Sequence, residues 1–299
     1  MATARTEPLR PTTATAVEPV GDRSVRLRRI LAYLFLIGYA LLMFVPFAWS
    51  LITSFKTEAD SVRLTFIPNP VDFTGWDTAL NRLNPPLPQL FFNSALIAAA
   101  VMVTNVVLGS MAGYAFARLR FRLRDVLFLL VLATLMIPDQ LRLVPVYLIL
   151  VNLGLVTAAP TNYLGVIMVM AISAQSVFLF RQYFYSIPRD LEEAAKIDGA
   201  GFFTTFWRIM LPLATPAVAA VAVLQFQGTW NAFFWPLVIL QVSSHWTLPL
   251  GITQFLGFYL THWPPLMAVI VLATVPILFL YLFFQRYFVE GVAASGVKG

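Results

Sequence analysis

Long apolar runs separated by short polar stretches dominate the chain. Ile30 to Ile52 holds 23 residues without a charge, and at roughly 1.5 Å per helical residue it is long enough to cross a hydrocarbon layer of about 30 Å. Leu90 to Phe116 is a second uncharged run. A third opens at Asp125, reaches Ile137 and breaks at Pro138-Asp139. Leu141 to Leu153 is apolar but short and divided by Pro145, which predicts a helix lying at the outer surface. Tyr163 to Phe180, Ala214 to Leu240 and Leu266 to Phe284 predict three more crossings, making six. Lys56 to Gln89 and Gln241 to Trp263 are polar or Pro-rich connections on the outer side. Residues Met1 to Asp22 read as a disordered tail, and the following run is too long for a cleavable signal.

Between the fourth and fifth runs lies a polar island, Glu192-Glu193-Ala194-Ala195-Lys196-Ile197-Asp198-Gly199-Ala200, continuing to Pro212. Its pattern predicts a short capped helix. Pro188 suits a first helical turn, and Asp190, Glu192 and Glu193 sit where the helix dipole favours negative charge. Lys196 falls in the last turn, and Gly199 can take the left-handed conformation that ends a helix. Leu191, Ala194, Ala195 and Asp198 lie three or four apart, which gives a face another surface could approach.

Composition agrees with the pattern. Of 299 residues, 59% are hydrophobic and 11% charged, against about 25% charged in soluble domains, so the chain is an integral membrane protein. The net charge of +6 does not point to nucleic acid, because Lys and Arg cluster at the ends of the apolar runs. With the N-terminus inside, sixteen of the twenty Lys and Arg fall inside, leaving Lys56, Arg63, Arg82 and Arg142 outside; both termini are then cytoplasmic. Cysteine is absent, which excludes disulfides and thiolate sites. His245 and His262 read as solvated loop residues, so no metal or catalytic site is expected.

No ionisable residue sits deep within a predicted crossing, as an ion-coupled carrier would need, so the driving force is expected from outside the chain. The buried polar groups are neutral. Asn93, Asn105, Gln175, Gln225, Gln227 and Asn231, with Trp230 beside them, are candidates for a translocation path, since amides suit an uncharged polyhydroxylated solute. Each could equally bond helix to helix. Trp246, Tyr259 and Trp263 in the last outer loop suit either an interface belt or a loop folded against a partner.

Glu193-Ala194-Ala195, three residues, Gly199, nine residues, Ile209, one residue, Leu211-Pro212 resembles the EAA loop of bacterial ABC importer permeases. Phe92-Asn93-Ser94, Gly113-Tyr114-Ala115, Trp230-Asn231 with Pro236, and Gln285-Arg286-Tyr287-Phe288-Val289 resemble the carbohydrate branch, the MalG-type subunit of the maltose-importer family. The resemblance implies an all-α, six-helix membrane protein of type I ABC importer permease architecture, importing a carbohydrate or related polyol, with glycerol-phosphate as the alternative cargo. It implies tail 1–29, first helix and outer loop 30–89, a five-helix core 90–287 containing the docking loop 186–212, and a cytoplasmic tail 288–299. The partners implied are a second permease subunit, two ATP-binding-cassette ATPase subunits and an extracytoplasmic solute-binding protein. ATP and Mg belong to the ATPase subunits, with no cofactor on this chain, whose sequence lacks a Gly-x4-Gly-Lys-Ser/Thr loop. The ATPase-docking residues implied are Glu192, Glu193, Ala194, Ala195, Asp198, Gly199, Ala200, Ile209, Leu211 and Pro212.

Overall fold

A computed structural model describes residues 22–156, 160–257 and 261–296, with side chains over 25–156, 160–257 and 261–285. Among these residues the regular structure is helical, apart from one isolated bridge between Leu256 and Thr261. The chain forms two compact units, Met1–Trp49 and Ser50–Gly299.

The first unit supplies most of α1 (Asp22–Thr53). The helix starts eight residues ahead of the predicted run and takes in Arg23, Arg26, Arg28 and Arg29, so residues 22–29 are helical where a disordered tail was expected. Arg and Leu are good helix formers and extend the apolar helix at little cost. The rest of that predicted tail, 1–21, lies outside the described residues.

In the second unit, α2 (Glu58–Ser61) and α3 (Thr74–Asn81) occupy the predicted outer connection. Pro88 in the first turn presets the backbone of α4 (Leu87–Arg118), the longest helix of the unit's middle. α5 (Arg124–Ala133) runs through a 3-10 turn, Thr134–Met136, and then bends by 104° into α6 (Asp139–Asn152). The break at Pro138 and the separate short helix agree with the sequence pattern, but α6 runs unbroken through Pro145, which was expected to divide it. The predicted fourth crossing is two helices, α7 (Thr161–Met170) and α8 (Ala174–Ser186), bent by 49°. The polar island forms α9 (Asp190–Ile197) and α10 (Phe202–Thr205), followed by a π-helical turn, Phe206–Met210, and α11 (Leu211–Leu213).

The chain then turns by 77° into α12 (Thr215–Trp230). The predicted fifth crossing is interrupted after Trp230, and α13 (Phe234–Ile239) carries its remainder. The last outer loop holds α14 (Leu248–Ile252), and α15 (Trp263–Gly296) passes Pro276. That helix runs through most of the segment read as a C-terminal tail, leaving 297–299 outside the described residues. By length and composition, three helices suffice to cross a membrane and three bent pairs pass as one crossing each, six at most among the described residues.

α4 is the axis, packed on α8 and α12, while α15 packs on α3 and α12. The α4–α8 contact is close because small residues line it. A methyl group at Gly113 would lie 2.5 Å from Phe180 Cβ and 2.9 Å from the Arg181 amide nitrogen. Association of apolar helices in lipid depends on such close backbone approach, since lipid tails are as apolar as leucine. Tyr114, Ala117, Phe180, Phe184, Ile187, Phe206 and Met210 form one buried cluster, which backs α9 and α10.

Candidate functional site

The acids of α9 stand in its first turn and Lys196 in its last, as the dipole argument expects. Gly199 has φ +80°, and the Ala200 amide donates to the Ala195 carbonyl at 2.9 Å, closing the helix end. Glu193, Ala194 and Asp198 are exposed, while Ala195 is buried, at 4% exposure. Ala200, Ile209 and Leu211 are half-buried and Pro212 is exposed; the last three belong to the turns leading into α12 rather than to the surface of α9. Ile197, Phe202 and Phe203 are exposed at 87%, 62% and 72%. That apolar patch beside charged α9 was missed in the sequence, although Phe202-Phe203 within a polar connector was the available signal.

Glu192 faces inward. Its Oε1 lies 3.6 Å from Arg118 Nε, with the side chains 14% and 3% exposed. Arg118 Nη2 also donates to the Phe184 carbonyl at 2.5 Å and to the Ile187 carbonyl. A groove of about 670 Å³ runs beside them between Arg120, Arg189, Glu193, Lys196 and Phe202.

The candidate path residues divide into two groups. Asn105 is 0% exposed: its Nδ2 donates to the Val101 and Met170 carbonyls, and its Oδ1 accepts from the Ser173 amide and the Ser176 hydroxyl. It satisfies the backbone freed at the α7–α8 break, which explains how that break is tolerated in an apolar setting. Asn93 is 2% exposed, donates to the Ser244 and Trp246 carbonyls and accepts from the Tyr163 hydroxyl. Trp230, also 2% exposed, donates to the Ala273 carbonyl. These three hold helices and the outer loop together and reach no surface of this chain. Gln225 is half-buried and donates to Ser173 Oγ at 3.0 Å. Gln175, Gln227 and Asn231 are exposed, and Leu224, Gln227, Gly228 and Asn231 fall on one side of α12 at helical spacing.

The last outer loop is folded against α4. Gln89 Nε2 donates to the Ser244 carbonyl, and the Leu248 amide donates to Ser94 Oγ at 2.7 Å. Trp246 is half-buried with its indole on the Leu240 carbonyl, Trp263 is 39% exposed, and Tyr259 lies outside the described residues. Of the two histidines, His262 is exposed, as the sequence reading expects, and His245 is half-buried. His245 Nδ1 stands 2.7 Å from Asn162 Nδ2 with its ring on Tyr163, and His262 pairs with Glu58 at 3.0 Å.

Comparison with known proteins agrees with this architecture. Residues 105–294 match the family described as binding-protein-dependent transport system inner membrane component. The chain is 37% identical over 276 residues to the arabinooligosaccharides transport system permease protein AraQ of Halalkalibacterium halodurans, covering 90% of this chain and 98% of that one. It is 33% identical over 267 residues to the sn-glycerol-3-phosphate transport system permease protein UgpE of Yersinia enterocolitica, covering 87% and 94%. In structure it resembles a chain of a bacterial ABC transporter involved in import of the acidic polysaccharide alginate, with TM-score 0.72, 26% identity and coverage of 90% and 99%.

Proposed function

We propose, because this chain belongs to the family of inner membrane components of binding-protein-dependent transport systems, that it forms half of the translocation path of an ATP-driven importer of a neutral carbohydrate. It performs no bond chemistry. Two partner ATPase subunits hold ATP and Mg, a second permease subunit completes the path, and an extracytoplasmic binding protein delivers the solute. The exposed face of α9 and α10, from Glu193 and Ala194 to Ile197, Phe202 and Phe203, docks on an ATPase subunit.

The observation that carries the carbohydrate reading is the uncharged exposed side of α12. Gln227 and Asn231 present two amides there beside Gly228, with no Lys, Arg, Asp or Glu on the helix. Amides donate and accept at once, which suits a ring of hydroxyls. Arg142, the basic group that an anionic cargo would engage at the outer edge, is paired with Asp139 on its own helix. Relatives named for arabinooligosaccharide transport support the same class. The UgpE relative favours a second reading, glycerol-phosphate as cargo.

Uptake by the complete reconstituted system separates them. A labelled neutral oligosaccharide is expected to accumulate with ATP, and Gln227→Ala or Asn231→Ala to lower that uptake roughly fivefold each, the equivalent of about 1 kcal/mol per lost hydrogen bond. Accumulation of glycerol 3-phosphate in preference to every neutral sugar offered would establish the second reading instead.

A further inference from the structure

The buried contact at the root of α9 goes beyond docking. Arg118 ends α4, the axis of the bundle, and its guanidinium reaches two other elements at once. Nη2 bonds the Phe184 and Ile187 carbonyls, which close α8, and Nε faces Glu192 in the first turn of α9. With its side chain 3% exposed, this is an internal joint between three helices rather than a surface ion pair.

The joint is incomplete. Arg118 Nε and Glu192 Oε1 are both buried, lie 3.6 Å apart, and neither has a hydrogen-bond partner. Moving them together by roughly 0.7–0.9 Å would make a charge-assisted hydrogen bond of ordinary length. A push on α9 toward the bundle is therefore favoured at this point, and α4 and α8 receive it together through one planar group. Glu193, one residue on, is exposed and left to face outward.

We infer that Arg118 is a positioning residue of the transport cycle: with Glu192 it fixes α9 to the ends of α4 and α8, so that motion imposed on the loop moves those helices as one body. This rests on the transport reading above. It separates two adjacent acids by task, Glu193 toward the ATPase and Glu192 toward the bundle. It also predicts that force enters through α4 and α8 and not only along the chain into α12.

The test uses the full complex in lipid vesicles, with spin labels at cysteines replacing Phe121, on the turn beyond Arg118, and Lys196. A label pair on one rigid body gives one narrow distance, unchanged between the nucleotide-free and the vanadate-trapped ATPase. Glu192→Gln and Arg118→Gln are expected to broaden it. In the same vesicles, solute moved per ATP is expected to fall about tenfold in each variant, within the usual range of coupling between sites. ATPase subunits remain bound and basal hydrolysis persists. The double variant is expected to be no worse than Arg118→Gln alone, since that variant already breaks the contact with Glu192, and Arg118→Lys to fall between wild type and Arg118→Gln. A wild-type distance that shifts during the cycle, or a narrow one in both variants, overturns the joint. So does wild-type coupling in the variants, or loss of ATPase binding alongside lost uptake. The distance measurement needs no solute, so a wrong cargo assignment would show as absent wild-type uptake while the joint is still judged.

Discussion

Asn105 uses both ends of its amide on the broken backbone between α7 and α8, whereas Asn231 offers the same amide to the outside at the end of α12. One residue type in one kind of apolar run is thus buried and fully bonded in one place and exposed in the other. Hydropathy cannot tell them apart: both are uncharged polar residues in long apolar runs, and Asn105 meets Ser173 only through the α4–α8 packing. Asn105→Ala takes this partner from the Met170 carbonyl and the Ser173 amide, both in half-buried residues. It is expected to cost about 1–3 kcal/mol and to lower the heat-inactivation temperature of the purified complex. Gln175→Ala, on an exposed position of α8, is expected to stay within about 0.5 kcal/mol of wild type. Equal effects of the two would return Asn105 to the path.

At the scale of elements, α9 was legible almost to its ends because local rules make it: acids in the first turn, a lysine in the last, and Gly199 where φ turns positive. The prediction that belongs here is Gly199→Val. A β-branched residue at φ +80° is strained, so the loop end shifts, and coupled uptake should fall on the order of 10- to 100-fold, the effect of a misplacement near 1 Å. Insertion into the membrane should persist. Gly201 has φ −78° and open space around it, so Gly201→Ala is the matched control and should transport normally. The broken crossings were harder to read. Pro138 marks one break in the sequence, but the breaks after Met170 and Trp230 follow no proline and depend on partners far along the chain. The place of Glu192 was hidden for the same reason: it looks like a surface acid until Arg118, seventy-four positions away, is seen beneath it.

For the whole molecule, the account is of an apolar gate driven by a motor on other chains. The topology expected from the charge distribution puts Arg118, Arg120, Arg122 and Arg124 on the same side as the loop of α9. The lack of native cysteine makes that arrangement open to a clean test, since an introduced thiol is the only one to react. The most direct measurement is labelling of Phe203→Cys, on the exposed patch beside α9, with a membrane-impermeant maleimide. The account predicts no reaction in intact spheroplasts, reaction in inside-out vesicles stripped of the ATPase subunits, and protection when those subunits are added back. Reaction from the outside of intact spheroplasts, or no protection by the ATPase, would contradict it.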